Sequence, residues 1–210
     1  MKRTLGLVLL VTLLALGSSV SAEVIKIGVF EPMTGPSAAG GEMTVEGIEL
    51  AQELKGEVLG RKVEIIVVDN KSDKVEAANA VSRLIEKDKV VAIIGSYGSS
   101  LSMAAGDIVN KAQVPTVGCS PTNPLVTLNN PYYFRVCFID PFQGTVMANY
   151  AVNELGAKTA AVIQDVTQDY SVGLSKYFVD AFRKLTGDPG SIVEMSSYNT
   201  GDQDFTAQLT

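Results

Sequence analysis

Histidine and tryptophan are both absent from the 210 residues, and cysteine occurs only twice. Without histidine there is no His-based triad, no His-ligated metal and no usual general base near neutral pH. Phosphate loops are missing as well: there is no G-x-x-x-x-G-K-[ST], and Gly95-x-x-Gly98 has the wrong spacing for G-x-G-x-x-G. No acidic pair falls at converging strand ends. An enzyme is therefore disfavoured, and nothing calls for a cofactor. The same absence predicts a ligand affinity that changes little between about pH 6 and 8.

Positive charge is also scarce. Seventeen basic residues face 23 acidic ones, for a net charge of -6. An acidic surface argues against nucleic acid or an anionic membrane as partner. Long hydrophobic runs are confined to the start of the chain. Lys2 and Arg3 precede a largely apolar run from Leu5 to Leu16, which breaks at Gly17-Ser18-Ser19 before the small residues Val20-Ser21-Ala22. A spanning helix needs roughly 20 apolar residues, so residues 1–22 read as a cleaved export signal with Glu23 as the mature N-terminus. Removing Lys2 and Arg3 leaves 15 basic against 23 acidic residues, a net of -8.

Cys119 and Cys137 lie 18 residues apart. In an oxidising compartment they can pair, but spacing does not establish the geometry a disulfide needs. The other reading is two buried small side chains.

What is present is alternation. Short β-branched runs (Val24–Phe30, Lys62–Asp69, Val90–Gly95, Val114–Gly118, Tyr132–Phe138, Thr159–Gln164, Ser191–Met195) are mostly separated by amphipathic stretches (Glu42–Leu54, Lys74–Lys87, Ser99–Ala112, Phe142–Leu155, Ser171–Leu185). Runs such as Val90-Val91-Ala92-Ile93-Ile94 suit parallel strands covered on both faces. The pattern predicts an α/β fold with a doubly wound parallel sheet. Asp73, with Glu76 three residues on, marks a helix start, and Ala77, Ala80, Val81, Leu84 and Ile85 form its apolar stripe.

Around residue 140 the rhythm changes. Two strands follow one another across the proline-containing loop Ser120–Pro131, and Asp140-Pro141 opens a fresh series. The expected division is an N-terminal lobe over 23–141 and the first part of a second lobe over 142–210. With few strands after Phe142, and a helix start at Gly201–Phe205 just before Thr210, the second lobe is expected to be incomplete.

Ligands of open α/β sheets collect outside the carboxyl ends of the strands. Three loops there are unusual: Glu31–Gly41, Gly95–Ser100 and Cys119–Pro124. In the second, Gly95 and Gly98 permit tight turning, and Ser99 or Ser100 stands where a helix N-cap is expected. A helix N-terminus suits a carboxylate; the alternative is that these serines only cap. The third loop adds the hydroxyl of Thr122 between Pro121 and Pro124, either as a ligand group or within a merely rigid connection.

At these loops the chain resembles the branched-chain (Leu/Ile/Val) amino-acid type of ABC-importer periplasmic substrate-binding protein, of the type I periplasmic binding protein family. The resemblance runs in order through Val24–Gly28, Met33–Pro36, Val67–Asn70, Ile94–Ser96, Pro115, Ser120–Pro124, Phe134-Arg135, Asp140–Gly144, Tyr170–Leu174 and Gly201–Phe205. It implies a two-lobed, hinge-closing periplasmic receptor, monomeric and non-catalytic, that delivers an amino acid to a membrane permease. The same fold also serves as the ligand-sensing domain of signalling receptors. Carried over residue by residue, Ser99 and Thr122 receive the ligand carboxylate and the backbone carbonyl of Ser120 accepts from its ammonium. Tyr170 closes over it from the second lobe, and Tyr97 lines the side-chain pocket unless it is a packed loop aromatic. Gly40 departs from the pattern, falling where leucine-type receptors tend to place an aromatic, and so implies a pocket wider or differently shaped on that side. The acidic partner of the ammonium is expected beyond Thr210.

Overall fold

A computed structural model describes residues 24–209. The predicted leader and the mature start at Glu23 lie outside the described residues. Eight strands and six α-helices follow in the order β1 (Ile25–Glu31), α1 (Ala38–Leu54), β2 (Glu57–Val58), β3 (Arg61–Asp69), α2 (Lys74–Glu86), β4 (Ala92–Gly95), α3 (Ser99–Ala112), β5 (Thr116–Gly118), β6 (Tyr133–Arg135), α4 (Asp140–Asn149), β7 (Ala160–Asp165), α5 (Asp169–Thr186), β8 (Ile192–Tyr198) and α6 (Thr206–Leu209). A π-helical turn, Tyr150–Glu154, continues α4. Strands β1 to β6 form one sheet in the order β2-β3-β1-β4-β5-β6, parallel except for β2, and β7 and β8 pair in parallel in a second. The parts built on these two sheets are called the first and second lobes below. The predicted α/β class with parallel sheets is what the chain adopts.

Burial explains the register. On one face of the first sheet, Ala77, Ala80, Val81 and Leu84 of α2 and Leu101, Ala105 and Val109 of α3 pack with Phe30, Ile93 and Tyr133. Leu84 is wholly buried, a placement that contributes about 2 kcal/mol, and its Cδ1 lies 2.9 Å from where a Cβ on Gly28 would be. The Asp73 carboxylate accepts from the N–H groups of Val75 and Glu76 and so starts α2, as predicted. Glu76 does not complete a capping box among the described contacts; it pairs with Lys71 at 3.6 Å. Gly187, at φ 69°, ends α5 in the left-handed conformation.

Several elements differ from the sequence reading, among them the strand expected over Tyr132–Phe138, which is only Tyr133–Arg135, and α5, which begins at Asp169 and not Ser171. Helix α1 begins at Ala38 and not Glu42, running through Gly40 and Gly41. The short strand β2 turns back at Leu59 and Gly60, both at positive φ, and pairs with β3. Helix α4 begins at Asp140, before the expected Phe142.

Candidate functional site

The loop between β4 and α3 is held from beneath. Tyr133 donates its hydroxyl to the Gly95 carbonyl (2.6 Å), and buried Asn70 donates to Ser96 Oγ (2.9 Å). The Ser102 hydroxyl donates to the Ser96 carbonyl (3.0 Å), and the Tyr97 N–H donates to Glu31 Oε2 (2.6 Å). Gly95 sits at φ 136°, where a Cβ would lie 2.6 Å from the Phe30 carbonyl oxygen, so the turn requires glycine.

The expected serine cap is corrected by this geometry. The N-cap of α3 is Gly98, without a side-chain capping bond, and Ser99 and Ser100 are the first residues of the helix. Their hydroxyls have other partners. Ser99 Oγ accepts from the Asn123 N–H (3.1 Å), which ties this loop to the next and leaves its own proton to donate.

The loop Ser120–Pro124 owes its shape to Arg135. That guanidinium donates to the carbonyls of Pro121 (2.8 Å), Asn123 (2.9 Å) and Pro124 (3.2 Å) and to Thr127 Oγ1 (2.7 Å), so it brackets Thr122 on both sides. A planar fork serves these acceptors where an ammonium would reach only some. Arg135→Met is expected to cost about 2–3 kcal/mol of stability, since a bond to a charged donor is lost and carbonyls are left unpaired. Arg135→Lys should recover less than half of it. Thermal unfolding by circular dichroism checks this, and a wild-type midpoint for Arg135→Met would contradict it.

All five residues singled out from the sequence meet here. Tyr97, Ser99, Ser120, Thr122 and Tyr170 line one cavity of about 270 Å³, together with Gly98, Phe138 and Gln143. Ser99 and Thr122 are almost wholly buried. The hydroxyls of Ser120 and Thr122 are buried without any hydrogen-bond partner. Leaving such a group unpaired costs about 1–3 kcal/mol, and an entering acceptor would relieve it. Beside Thr122, the buried Asp140 carboxyl makes no bond of normal geometry. Burial raises its pKa, against the opposing pull of the nearby Thr122 hydroxyl and Arg135 charge.

Tyr170 reaches the cavity from the second lobe, its hydroxyl accepting from Gln143 Nε2 (3.1 Å). Gln143 and Phe138 were not singled out from the sequence. The motif Asp140–Gly144 contains the first, but nothing local marks its side chain as facing a cavity. Gly40 does not widen this side of the site. A Cβ there would lie 2.4 Å from the Tyr97 ring, so Tyr97 fills the space that a side chain at 40 would need.

Glu31 is the titratable group that an inspection for histidine overlooks. It is wholly buried, and its Oε1 has no partner. Burial pushes its pKa up to about 8, against the lowering effect of the Tyr97 N–H. A carboxyl raised toward neutrality therefore sits under the loop between β4 and α3, bound to its Tyr97 N–H.

Other features carry less chemistry. Cys119 and Cys137 are free, half-buried thiols, and burial raises Cys119 to about 11. A larger cavity of about 460 Å³ lies between α1 and the first sheet, but its lining is mostly aliphatic, including Ile27, Ile48, Val63 and Ile65. Of its polar lining residues Thr44, Gln52 and Lys55, Gln52 already donates to the Val63 carbonyl (2.9 Å) and Thr44 to the Gly40 carbonyl (2.9 Å). Among the described residues no cluster could hold a metal ion, and no helix is long and apolar enough to cross a membrane.

The periplasmic binding protein family model matches residues 24–210, and the chain belongs to that family. An amino acid binding protein of Pseudomonas aeruginosa is 32% identical over 95% of this chain and 53% of its own length. The Leu/Ile/Val-binding protein homolog 3 of Brucella melitensis is 31% identical over 89% of this chain and 50% of its own. Among solved structures, the leucine binding protein LivK of Thermotoga maritima superposes with a TM-score of 0.83 at 49% identity, covering 89% of this chain and 52% of that one. The substrate binding protein LivJ of Streptococcus pneumoniae, in complex with isoleucine, gives 0.80 at 34% identity over 89% and 53%. The chain thus spans about half the length of these relatives. The resemblance to Leu/Ile/Val-type binding proteins read from the sequence is borne out, as is the type I fold.

Proposed function

We propose that this chain is the ligand-receiving part of a periplasmic solute-binding receptor of an ABC importer, which captures a branched-chain amino acid between two hinged lobes. The observation that carries this reading is that Ser99, Ser120 and Thr122 line one cavity at the start of α3, with the Thr122 hydroxyl buried and in no hydrogen bond of normal geometry. Such donors beside a helix N-terminus are complementary to a carboxylate. Ser99 and Thr122 donate to it, and the Ser120 carbonyl accepts from the ammonium. Tyr97 lines the side-chain end and Tyr170 closes the site from the second lobe. Ligand then favours a closed state by touching both lobes. The protein works without catalysis or cofactor, as a monomer that hands its cargo to a membrane permease. Export by residues 1–22 places it in the periplasm, and the lobes divide near residue 141.

A second reading is favoured by relatives solved with aromatic acids. A solute binding protein of Rhodopseudomonas palustris, 26% identical with a TM-score of 0.76 over 89% of this chain and 50% of that one, is in complex with 3,4-dihydroxybenzoic acid. An aromatic acid satisfies the same carboxylate donors without an ammonium. A thermal-shift screen of the full-length protein separates the two. Leucine, isoleucine or valine at a hundredfold excess over Kd is expected to stabilise it by about 2.7 kcal/mol. A shift with benzoates and none with amino acids would replace the first reading by the second.

A further inference from the structure

Lys74 is the first residue of α2, at the positive end of the helix dipole, where a cation is locally unfavourable. Its ammonium crosses to the second lobe and pairs with Asp169 Oδ2 at 2.7 Å. Helix α5 is equally odd at its start: Gln168 occupies the N-cap and makes no side-chain capping bond. The Asp169 N–H instead donates to Ser100 Oγ of the first lobe (2.8 Å). The Asp169 carbonyl accepts from the buried Asn123 Nδ2 (3.0 Å). One turn on, Gly173 permits this approach, since a Cβ there would lie 2.8 Å from the same Asn123 nitrogen. Each choice breaks a local rule and is satisfied only across the lobes.

We propose that Asp169 is a positioning residue that clasps the second lobe to the first, through Lys74, Ser100 and Asn123, and thereby sets its neighbour Tyr170 over the cavity. The proposal rests on the two-lobed receptor reading. These bonds join the two lobes without touching ligand, so they favour the state in which the lobes meet. Their main kinetic effect is on release, because an open cleft admits ligand with or without the clasp. The Lys74–Asp169 side chains are 49% and 41% exposed, so salt screens the pair.

The test uses the full-length protein with L-isoleucine as probe. Lys74→Met and Asp169→Asn are each expected to speed release by up to about fivefold at low salt, with association little changed. The double variant should be no faster than either single one, and the reversed pair Lys74→Asp with Asp169→Lys should restore slow release in part. The differences should vanish at high salt. Gly173→Ala improves helix propensity and yet should also speed release, which a purely structural role would not produce. Amide exchange at Asp169 in ligand-free protein gives a second readout, expected to be faster in Ser100→Ala. Wild-type release rates in the charge variants, or unchanged exchange in Ser100→Ala, would overturn the clasp. Failure of wild type to bind L-isoleucine would count against the amino-acid reading, and amide exchange would still decide the clasp.

Discussion

Ser99→Ala and Thr122→Ala are each expected to weaken amino-acid binding by about tenfold or more in the full-length protein. A hydrogen bond to a charged acceptor contributes roughly 1.5–3 kcal/mol. Both hydroxyls are buried against one cavity, and Thr122, which lies beside the Asp140 carboxyl, makes no bond of normal geometry there. Ser99 also accepts from the Asn123 N–H, so its loss loosens the loop that carries Thr122. The two substitutions act on one group at close range and should be less than additive. Calorimetry on the wild type, the single variants and the double variant measures the coupling. Strict additivity with small single effects would mean that the hydroxyls serve only to join the loops.

The second large effect is on stability and has a definite sign with pH. The Glu31 carboxyl ionises near 4.5 in the unfolded chain but at about 8 when folded. Between these values the native state holds one more proton than the unfolded state. Stability therefore falls as pH rises, by up to about 1.4 kcal/mol per unit, and the contribution is fully present only below the unfolded pKa. Glu31→Gln keeps an oxygen for the Tyr97 N–H and cannot ionise. It should flatten the profile and exceed the wild type in stability at pH 8. Urea unfolding at pH 5.5 and 8, followed by circular dichroism because there is no tryptophan, checks this. A wild-type midpoint equal at both pH values would contradict the burial argument. Ionised Glu31 also places a negative charge beneath the loop proposed to receive a carboxylate, so affinity should fall above pH 8 in wild type more than in Glu31→Gln.

The legible parts of this molecule are those whose causes are local. Ile93 and its neighbours read as a strand because a parallel strand covered on both faces needs an unbroken apolar run. Asp73 announced α2 because its cap lies within three residues. Ser99 and Thr122 stood out as hydroxyls at adjacent strand ends, where an open sheet collects ligands. What escaped depends on distant partners. Glu31 looked like an ordinary loop acid, since the Tyr97 N–H it accepts from is 66 positions away. The reach of Lys74 to Asp169 spans 95 positions. Gly40 and Gly41 suggested a loop, but they lie in α1, where a Cβ on Gly41 would fall 2.1 Å from the Pro32 carbonyl oxygen. Arg135 was visible as part of a motif, but not as the fork that shapes the loop around Thr122.

The proposed function requires that the cavity walled by Ser99, Ser120 and Thr122 receive a carboxylate. It is tested most directly by calorimetric titration of the full-length wild-type protein with L-isoleucine and with L-isoleucinamide. The amide keeps the ammonium and the side chain but lacks the anionic group that the hydroxyls and the start of α3 favour. Isoleucine is predicted to bind at least tenfold more tightly than its amide. Equal affinities for the two would contradict the account and place carboxylate recognition, if there is any, elsewhere in the protein.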